Sequence, residues 1–365
     1  SLPVPIRFES TPLPFTHRSG ASPRKHLPET MGGGIAVLDY DRDGRLDLFF
    51  SNGAEATPNG YRKTGPAYWN RLLRNTPDGF DVTEAAGIAG EGYTMGAAVG
   101  DFDNDGYPDL YVTGFPRSTL YRNRGGRFEE AGGPAGVALN GWGAGAAFLD
   151  FNRDGLLDLF VARYLDWDLE RSRWCGEGEG TPRAYCHPRL FGTVTHRLFL
   201  NQGGGRFTDV SAATGLDRFP GKGLGVRIDD LNNDGWPDIL VANDSRPQQV
   251  FLNHGGTRVT EEALRLGLAY DEDGNTYAGM GIDSADIDRA SGIAAISALH
   301  AGWGARLADF DNDGWADLFV AQGHVMDTIG WNEPSLRYRE PLLLARNLFG
   351  RFFEEKPPLE RPLAG

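Results

Sequence analysis

Several motifs and residue types are scarce or missing in this chain of 365 residues. No run of 18 apolar residues occurs, so the sequence predicts no transmembrane segment. Lys and Arg number 36 against 50 Asp and Glu, and no basic cluster stands out, which argues against nucleic acid as a partner. No GxSxG string and no HExxH string is present, which excludes a nucleophile elbow and that zinc signature.

Cysteine is also scarce, because only Cys175 and Cys186 are present. Their spacing does not match CxxC metal or redox motifs, and no other cysteine could complete a zinc site. We favour a disulfide over two free thiols; it would stabilise the fold by about 3 kcal/mol in the chain-entropy model and indicates an oxidising compartment. The chain begins at Ser1 without a signal segment, as a mature secreted protein would, although a trimmed chain would look the same. We therefore expect a secreted, periplasmic or cell-surface location.

Glycine, proline and aspartate are abundant instead. The 51 glycines and 22 prolines suit short strands joined by tight turns. Aspartate is concentrated in five strings of the form D-x-[DN]-x-D-G-x-x-D. They are DYDRDGRLDL from Asp39, DFDNDGYPDL from Asp101, DFNRDGLLDL from Asp150, DLNNDGWPDI from Asp230 and DFDNDGWADL from Asp309.

Each acidic string belongs to a longer repeated unit. A small, glycine-rich apolar run precedes it and alternating apolar residues follow it, as expected for two buried strands joined by a turn. A second signature, such as LYRNRGGRF or LFLNQGGGRF, predicts a hairpin at an asparagine and a glycine-rich turn. Units of about 50 residues with four short strands are typical of propeller blades. We predict an all-β fold in which residues 1–365 form a single β-propeller domain.

One further unit is degenerate. In YAGMGIDSADID, Asp286 and Asp288 take the first and third positions, but Ala290 replaces the next carboxylate. We infer that roughly 30 residues of a full unit are missing near Arg289. The sequence ends at RPLAG, where another acidic string would be due. The prediction is therefore a seven-bladed propeller with one incomplete blade and a truncated C-terminal blade.

The spacing of the acidic strings predicts Ca²⁺ loops. Alternate oxygen ligands converge on one point, and glycine supplies the sharp turn around the cation. Oxygen-only ligation favours Ca²⁺ over Mg²⁺ and disfavours zinc. Position seven would add a backbone carbonyl. The predicted ligands are Asp39, Asp41, Asp43, Arg45 and Asp47; Asp101, Asp103, Asp105, Tyr107 and Asp109; Asp150, Asn152, Asp154, Leu156 and Asp158; Asp230, Asn232, Asp234, Trp236 and Asp238; and Asp309, Asp311, Asp313, Trp315 and Asp317.

The alternative is that these strings are acidic turns whose Asp and Asn side chains only cap the local backbone. Five copies with the same glycine and the same ninth-position aspartate favour about five Ca²⁺ sites. Five such ions would bring the formal charge from −14 to −4. The copies with Asn152 and Asn232 should be the weakest, because each lacks one carboxylate.

The repeats resemble those of the FG-GAP/VCBS family, whose propeller is similar to the integrin α-chain head. The runs ETMGGGIAVLDYDRDGRLDLFFSNG, AYCHP and WGARLADFDNDGWADLFVAQGHV are similar to secreted bacterial proteins of the cartilage-acidic-protein or ASPIC/UnbV type. The resemblance implies Ca²⁺ binding by the aspartates of the five intact strings. It says much less about activity, and the C-terminal ASPIC/UnbV segment of many relatives is not found in this sequence.

We expect the function to reside in the part of the sequence that does not repeat. Residues 163–196 form an insertion that carries both cysteines with Trp167, Trp174 and Tyr185, and loops of this kind often carry function. We expect a rigid aromatic contact for a protein or other extracellular ligand, or else aromatics packed on the propeller rim. One alternative is an enzyme, for example a lyase, cyclase or hydrolase, that uses the central funnel. The sequence offers His300 and His324, with Asp327 three residues after His324, but we expect each histidine to be a surface or hydrogen-bonded residue and assign no catalytic residue. The other alternative is a subunit of a larger surface or membrane-associated assembly.

Overall fold

The computed structural model describes residues 12–76, 80–170, 172–176, 183–271, 273–276, 278–286, 294–297, 302–322, 343–348 and 352–355. The chain divides into two compact units, one of residues 15–224 and 253–260, the other of residues 1–14, 225–252 and 261–365. Strands dominate both units. Helical segments are short: α1 is Thr83–Ala86 and α2 is Gly132–Ala135, and single 3₁₀ turns cover Leu27–Thr30, Pro66–Tyr68, Pro188–Leu190 and Leu216–Arg218.

The first three blades are antiparallel sheets in which neighbouring strands follow one another along the chain, apart from one inserted hairpin. Blade 1 contains β1 (Ile35–Leu38), β2 (Asp47–Phe50), β5 (Arg71–Arg74) and β6 (Phe80–Asp81), with the hairpin β3 (Glu55–Thr57) and β4 (Gly60–Arg62) inserted. Blade 2 contains β7 (Tyr93–Gly100), β8 (Asp109–Phe115), β9 (Arg117–Asn123) and β10 (Phe128–Glu130), and β11 (Leu139–Asn140) pairs with β9. Blade 3 contains β12 (Gly143–Leu149), β13 (Asp158–Arg163), β14 (Arg197–Asn201) and β15 (Phe207–Asp209).

The rest of the chain forms two further blades and a smaller sheet. Blade 4 contains β16 (Gly223–Asp229), β17 (Asp238–Asn243), β18 (Gln249–His254) and β19 (Arg258–Glu261). Among the described residues, strands β20 (Ile282–Ala285) and β21 (Ala294–Ser297) pair only with each other. Blade 5 contains β22 (Gly302–Ala308), β23 (Asp317–Gln322), β24 (Leu343–Leu348) and β25 (Phe352–Glu355).

The all-β propeller fold is confirmed, but the prediction of seven blades is wrong, because the described residues contain five blades: four have four strands, and blade 2 has β11 as a fifth strand. The degenerate unit supplies two strands, β20 and β21, and a blade needs four. The expected gap near Arg289, the Asp288 and Ala290 positions and the C-terminal RPLAG lie outside the described residues. The single-domain assignment for residues 1–365 stays a prediction.

Apolar side chains between consecutive blades form the core. Ala36, Leu38 and Phe49 of blade 1 pack with Leu110 and Val112 of blade 2 in one buried cluster. Tyr111 and Leu120, also of blade 2, pack with residues of blade 3 in the next cluster. The alternation along each strand therefore reflects two buried faces, one toward each neighbouring blade.

Glycine and alanine precede each acidic string because first strands of neighbouring blades approach closely. A Cβ atom on Gly34 would lie 2.5 Å from the carbonyl oxygen of Met95. A Cβ atom on Gly96 would lie 2.4 Å from the carbonyl oxygen of Ala144. The small residues thus place β1, β7 and β12 side by side, and each strand leads directly into its acidic loop.

Candidate metal sites in the acidic loops

The five acidic loops share one backbone conformation. The sixth residue is a glycine with positive φ in every loop, 88° at Gly106 for example. The fourth residue also has positive φ, although it is Asn or Arg, as at Asn104 with 54°. The first aspartate holds this turn: Asp101 Oδ1 accepts the N–H of Asp105 and Oδ2 accepts the N–H of Gly106, at 3.0 and 2.7 Å. The same pair of hydrogen bonds recurs at Asp39, Asp150, Asp230 and Asp309.

The ninth-position aspartate of each loop is fully buried at the start of the second strand of its blade. These residues are Asp47, Asp109, Asp158, Asp238 and Asp317, each with 0% exposure. Asp109 Oδ2 accepts the N–H of Phe102, and Oδ1 accepts the N–H of Asn123 in the hairpin of the same blade. Burial raises the pKa of Asp109 to about 7 and that of Asp158 to about 6. A neighbouring positive charge would oppose this shift.

In three loops the carboxylates converge as a cation site requires. Oxygen atoms from three aspartates lie within 4.8 Å of one another in blades 1, 2 and 5. The groups are Asp39, Asp41 and Asp43; Asp101, Asp103 and Asp109; and Asp309, Asp311 and Asp317. Oδ1 of Asp41 and Oδ1 of Asp103 are buried and have no hydrogen-bond partner among the described residues. Oxygen-only donor sets with open acceptor positions suit a hard divalent cation.

Blades 3 and 4 differ at the third position of the loop. Asn152 and Asn232 stand there, and each donates its side-chain N–H to the fifth-position carboxylate, Asp154 or Asp234, at 2.9 Å. Within the described residues, no group of three carboxylates comes together in these two loops as it does in the others. The asparagine side chain still offers an oxygen atom as a ligand, but the loop has one carboxylate fewer.

The residues at position seven of the acidic strings form hydrogen bonds within the loop through their backbone N–H groups. Arg45, Tyr107 and Leu156 donate N–H to the fifth-position aspartate at 2.9–3.0 Å, and Trp236 and Trp315 do the same at 2.9 Å. These bonds turn the chain out of the loop. Ligation by their carbonyl oxygens stays a prediction.

Three of the loops also contact an arginine from the hairpin strand of their own blade. The sequence analysis did not predict these contacts. Arg74 pairs with Asp41 and Asp43 at 2.7 and 3.0 Å, and Arg346 pairs with Asp311 at 2.7 Å. Arg122 forms an ion pair with Asp103 and a longer one with Asp105. The signal was present in the sequence, since each arginine directly precedes the hairpin asparagine.

The hairpin asparagines tie consecutive blades together, and this role was also missed. Asn123 of blade 2 donates its side-chain N–H to the carbonyl oxygen of Tyr40 in the loop of blade 1 at 2.7 Å. Asn201 of blade 3 donates to Phe102 O at 2.7 Å. Asn253 donates to Phe151 O at 2.9 Å. Each acidic loop in blades 1 to 3 is therefore held by its neighbour as well as by its own turn.

The insertion of residues 163–196 lies between β13 and β14, and 163–170, 172–176 and 183–196 of it are described. Cys175 and Cys186 form the expected disulfide. Of the two alternatives for the aromatic residues, Trp167 follows packing: it is 4% exposed, with its ring centroid 5.1 Å from that of Phe115. Trp174, by contrast, is 51% exposed.

The insertion is anchored to the segment that precedes blade 1. Tyr185 donates its hydroxyl to Glu29 Oε2 at 3.4 Å, and the ammonium of Lys25 lies 4.7 Å from the centroid of the Tyr185 ring. Burial raises the pKa of Glu29, while hydrogen bonds from Ser22 favour its charged form. Tyr185 is thus used in packing, which leaves Trp174 as the aromatic residue of the three that is available to a partner.

A cavity of about 900 Å³ opens beside the insertion, between β3–β4 and the ends of the blade 2 strands. Its lining combines the aromatic residues Tyr61 and Trp167 with the charged residues Arg62, Arg117 and Asp168. Lys63 also lines it, and donates its ammonium to the carbonyl oxygens of Asn52, Gly53 and Tyr68. These hydrogen bonds fix the Lys63 side chain and anchor the end of β4.

The residues considered for catalysis lie outside the described part of the chain. His300, His324 and Asp327 are all in this group. The enzyme alternative therefore has no described site.

The described residues contain no helix with the length and apolar character of a transmembrane span.

Curated relatives share part of the sequence. Cartilage acidic protein 1 from Mus musculus is 30% identical over a match that covers 35% of this chain and 25% of that protein. The proteins of the same name from Xenopus tropicalis and Homo sapiens are each 28% identical, with 35% of this chain covered and 25% and 24% of theirs. The chain therefore spans about a quarter of the length of the curated relatives it matches.

Solved structures show weaker likeness. A lectin from Agrocybe aegerita that recognises terminal N-acetylglucosamine matches with a TM-score of 0.35 and 15% identity, covering 88% of this chain and 64% of the lectin. The V. cholerae biofilm matrix protein Bap1 matches with a TM-score of 0.38 and 13% identity, covering 80% and 37%. Both TM-scores are below 0.5.

The family model of the FG-GAP-like repeat matches most of the blades. Its matches cover residues 39–112, 101–161, 192–241 and 230–289. Each match begins at or before an acidic loop and runs through the strands around it. Since these matches together cover more than half of the sequence, the chain belongs to the FG-GAP-like repeat family.

Proposed function

We propose that this protein is a calcium-stabilised β-propeller that binds another macromolecule outside the cytoplasm. The observation that carries the proposal is the convergence of three carboxylates within 4.8 Å in blades 1, 2 and 5. Like charges held this close repel one another, and a divalent cation removes the repulsion. The ion would be structural, because each loop joins the first two strands of its blade.

The donor set favours Ca²⁺. Every side chain that faces the turn at positions one, three, five and nine offers oxygen, and Ca²⁺ accepts six to eight oxygen ligands in flexible geometry. The buried Oδ1 atoms of Asp41 and Asp103, which have no hydrogen-bond partner among the described residues, would gain one in the ion. Zinc would require nitrogen or sulfur donors in these loops, and the loops contain neither histidine nor cysteine.

Thermal unfolding tests the calcium proposal. We expect the melting temperature to fall by many degrees in a chelator and to recover in millimolar Ca²⁺, since a ligand at a hundred times its Kd stabilises by about 2.7 kcal/mol per site. Mg²⁺ at the same concentration is the control and should restore little, because it keeps its water ligands. An identical melting curve in chelator and Ca²⁺ would contradict the proposal.

The binding surface is proposed to include Trp174 in the disulfide-bonded insertion. This tryptophan directly precedes Cys175 and is 51% exposed, and exposed aromatic residues on braced loops are frequent binding anchors. We expect the Trp174→Ala variant to lose, by tenfold or more, the partner that co-purifies with the wild-type protein from its native source. Leu264→Ala is the control, because Leu264 is 71% exposed and lies outside the insertion.

The ratio of the co-purified components separates two forms of this proposal. A fixed ratio with a large buried interface supports a subunit of an assembly, and a variable ratio supports a separate ligand. Equal recovery of partners by wild type and Trp174→Ala would contradict the assignment of the surface.

The proposed location rests on the disulfide. A bridge between Cys175 and Cys186 persists in oxidising compartments and is reduced in most cytosols. Alkylation of freshly lysed native cells, followed by mass spectrometry, should leave both cysteines unmodified until a reductant is added. Complete alkylation without reductant would place the protein in a reducing compartment instead.

A further inference from the structure

The acidic loops of this chain fall into two classes that are defined by a pair of residues. Where the third loop position is aspartate, the residue before the hairpin asparagine is arginine. Where the third position is asparagine, that residue is leucine. The pairs are Asp41 with Arg74, Asp103 with Arg122, Asp311 with Arg346, Asn152 with Leu200 and Asn232 with Leu252.

In the Asp–Arg class the two residues form an ion pair whose burial increases from blade 1 to blade 5. Arg74 and Asp41 side chains are 35% and 16% exposed. Those of Arg122 and Asp103 are 29% and 8% exposed. In blade 5 the values fall to 2% for Arg346 and 3% for Asp311. A guanidinium buried this deeply requires its carboxylate, because an uncompensated charge there is strongly destabilising.

In the Asn–Leu class neutral residues replace both partners. Leu252 is 5% exposed and packs with Leu240 and Val250 in an apolar cluster. The amide of Asn232 supplies the hydrogen bond to the fifth-position aspartate. Arg74 and Arg122 make the corresponding contact in their own loops, with Asp43 and Asp105. The amide and the guanidinium therefore stabilise the same carboxylate.

The two classes have the same charge when the four ligand side chains and the residue before the hairpin asparagine are counted. Four aspartates and one arginine give −3 in the Asp–Arg class, and three aspartates give −3 in the Asn–Leu class. Blade 1 has a further ion pair, between Arg45 and Asp43 at 2.6 Å. We propose that the arginine of the Asp–Arg class is a built-in cation that offsets the additional carboxylate, so that the ligand positions together with the residue before the hairpin asparagine carry −3 in every loop. This inference rests on the proposed calcium binding and assigns Arg74, Arg122 and Arg346 as positioning residues.

One consequence concerns the loops that contain Asn152 and Asn232. A count of carboxylates ranks them as the weakest Ca²⁺ sites. When the arginine is included, their charge equals that of the other three loops, and charge is a main determinant of Ca²⁺ affinity in oxygen-ligand loops. Their affinity should therefore lie close to that of the Asp–Arg loops.

Blade 5 allows a site-specific test because Trp315 occupies position seven of its loop. Tryptophan sensitises the luminescence of bound Tb³⁺, and Ca²⁺ displaces Tb³⁺ in competition. Trp236 occupies the same position in blade 4, so Trp236→Phe is introduced into every variant to remove its signal. The variants are Arg346→Leu, Asp311→Asn and the double substitution, which give loop charges of −4, −2 and −3.

We expect the Ca²⁺ affinity of this loop to follow its charge. Arg346→Leu should bind Ca²⁺ more tightly than the parent by about tenfold, and Asp311→Asn more weakly by at least as much. The double variant should return to within about threefold of the parent. A double variant as weak as Asp311→Asn would overturn the proposal, because the missing ligand and not the charge would then decide affinity.

Unfolding in a chelator tests the ion pair without metal. Each single substitution at blade 5 should increase the unfolding equilibrium constant by at least about a hundredfold, since it leaves one buried charge unmatched. The double variant should recover most of that loss. Additive losses in the double variant would overturn the pairing.

The more exposed pair of blade 1 keeps the test valid if Arg346→Leu does not fold. Arg74→Leu, Asp41→Asn and their double variant should show the same order with smaller changes, because both side chains are partly solvated. The reverse exchange, Asn152→Asp with Leu200→Arg, should be tolerated better than Asn152→Asp alone. If the parent shows no Tb³⁺ or Ca²⁺ binding, the proposed function fails, and the chelator experiment still decides whether the residues are coupled.

Discussion

Backbone conformation at single residues determines whether an acidic loop can form at all. Two residues in each loop have positive φ. Residues that carry a Cβ atom enter that region at a cost of about 1–2 kcal/mol, whereas glycine does not pay this cost. The sixth position is always glycine. The fourth position is asparagine in three loops, and asparagine tolerates the left-handed region better than most residues.

Replacement of the loop glycine isolates this backbone effect. Gly155 has φ of 86° and open space around the place of a Cβ atom, so Gly155→Ala should destabilise by about 1–2 kcal/mol through φ alone. Gly32 has equally open space without positive φ, so Gly32→Ala is the matched control and should change little. Chemical denaturation of both variants measures the difference; equal stability would show that the loop adapts to alanine.

A second residue-scale effect concerns pH. Burial lowers the pKa of His17 to about 4, and the nearby charge of Lys63 adds to the shift. His17 therefore binds a proton near pH 6.5 in the unfolded chain, but only near pH 4 in the folded protein. Stability from this residue is complete above pH 6.5 and is lost as pH falls toward 4, by about 3 kcal/mol.

The variant His17→Asn should remove this part of the acid sensitivity. The slope of unfolding free energy against pH between 6.5 and 4 should be shallower in the variant than in wild type. Both proteins should be measured in the same chelator, so that metal release does not contribute to the difference. Parallel slopes would contradict the assignment to His17.

At the scale of elements, the hairpin of one blade stabilises the loop of the blade before it. Asn201 is 2% exposed, and its side chain donates to Phe102 O of blade 2 and to Leu157 O of its own blade, at 2.7 and 3.1 Å. Its Oδ1 accepts the N–H of Gly203. One buried amide thus satisfies groups from two blades and a turn.

Asn201→Ala should destabilise by about 2–3 kcal/mol, because two buried carbonyl oxygens lose a donor. Asn201→Asp should be worse, since a carboxylate cannot donate to those oxygens. The exposed neighbour Gln202 provides a control, and Gln202→Ala should stay within about 0.5 kcal/mol. Urea unfolding of the three variants checks the order, and a harmless Asn201→Ala would rule out this link as a determinant of stability.

The element boundaries were largely predictable because their causes are local. The ligand spacing, the glycine and the flanking apolar runs lie within about 20 consecutive residues, and the strands β7 and β8 begin and end where these patterns change. The degenerate unit did not give a full blade for a related reason. Asp286 and Asp288 identified a loop position, but the sequence pattern contained no information about the partner strands, and among the described residues β20 pairs only with β21.

At the scale of the whole molecule, the formal charge of −14 should depend on calcium. Occupation of five loops would reduce its magnitude to 4. Electrophoresis under native conditions should therefore show a clear loss of anodic mobility in Ca²⁺ relative to chelator, and much less in Mg²⁺. Equilibrium dialysis should give close to five ions per chain; one or two ions would show that most of the acidic loops do not bind calcium.

The sequence alone determined the all-β class and the position of every acidic loop, and it favoured the disulfide. Ligand spacing, turn residues and strand alternation act between neighbours in the chain, so a repeated pattern is sufficient to find them. Only the tertiary structure decided that the described residues form five blades, that Trp167 is buried while Trp174 is exposed, and that Arg346 pairs with Asp311. These features depend on contacts between distant residues, such as Asn201 and Phe102, which are 99 positions apart and meet only because consecutive blades pack face to face.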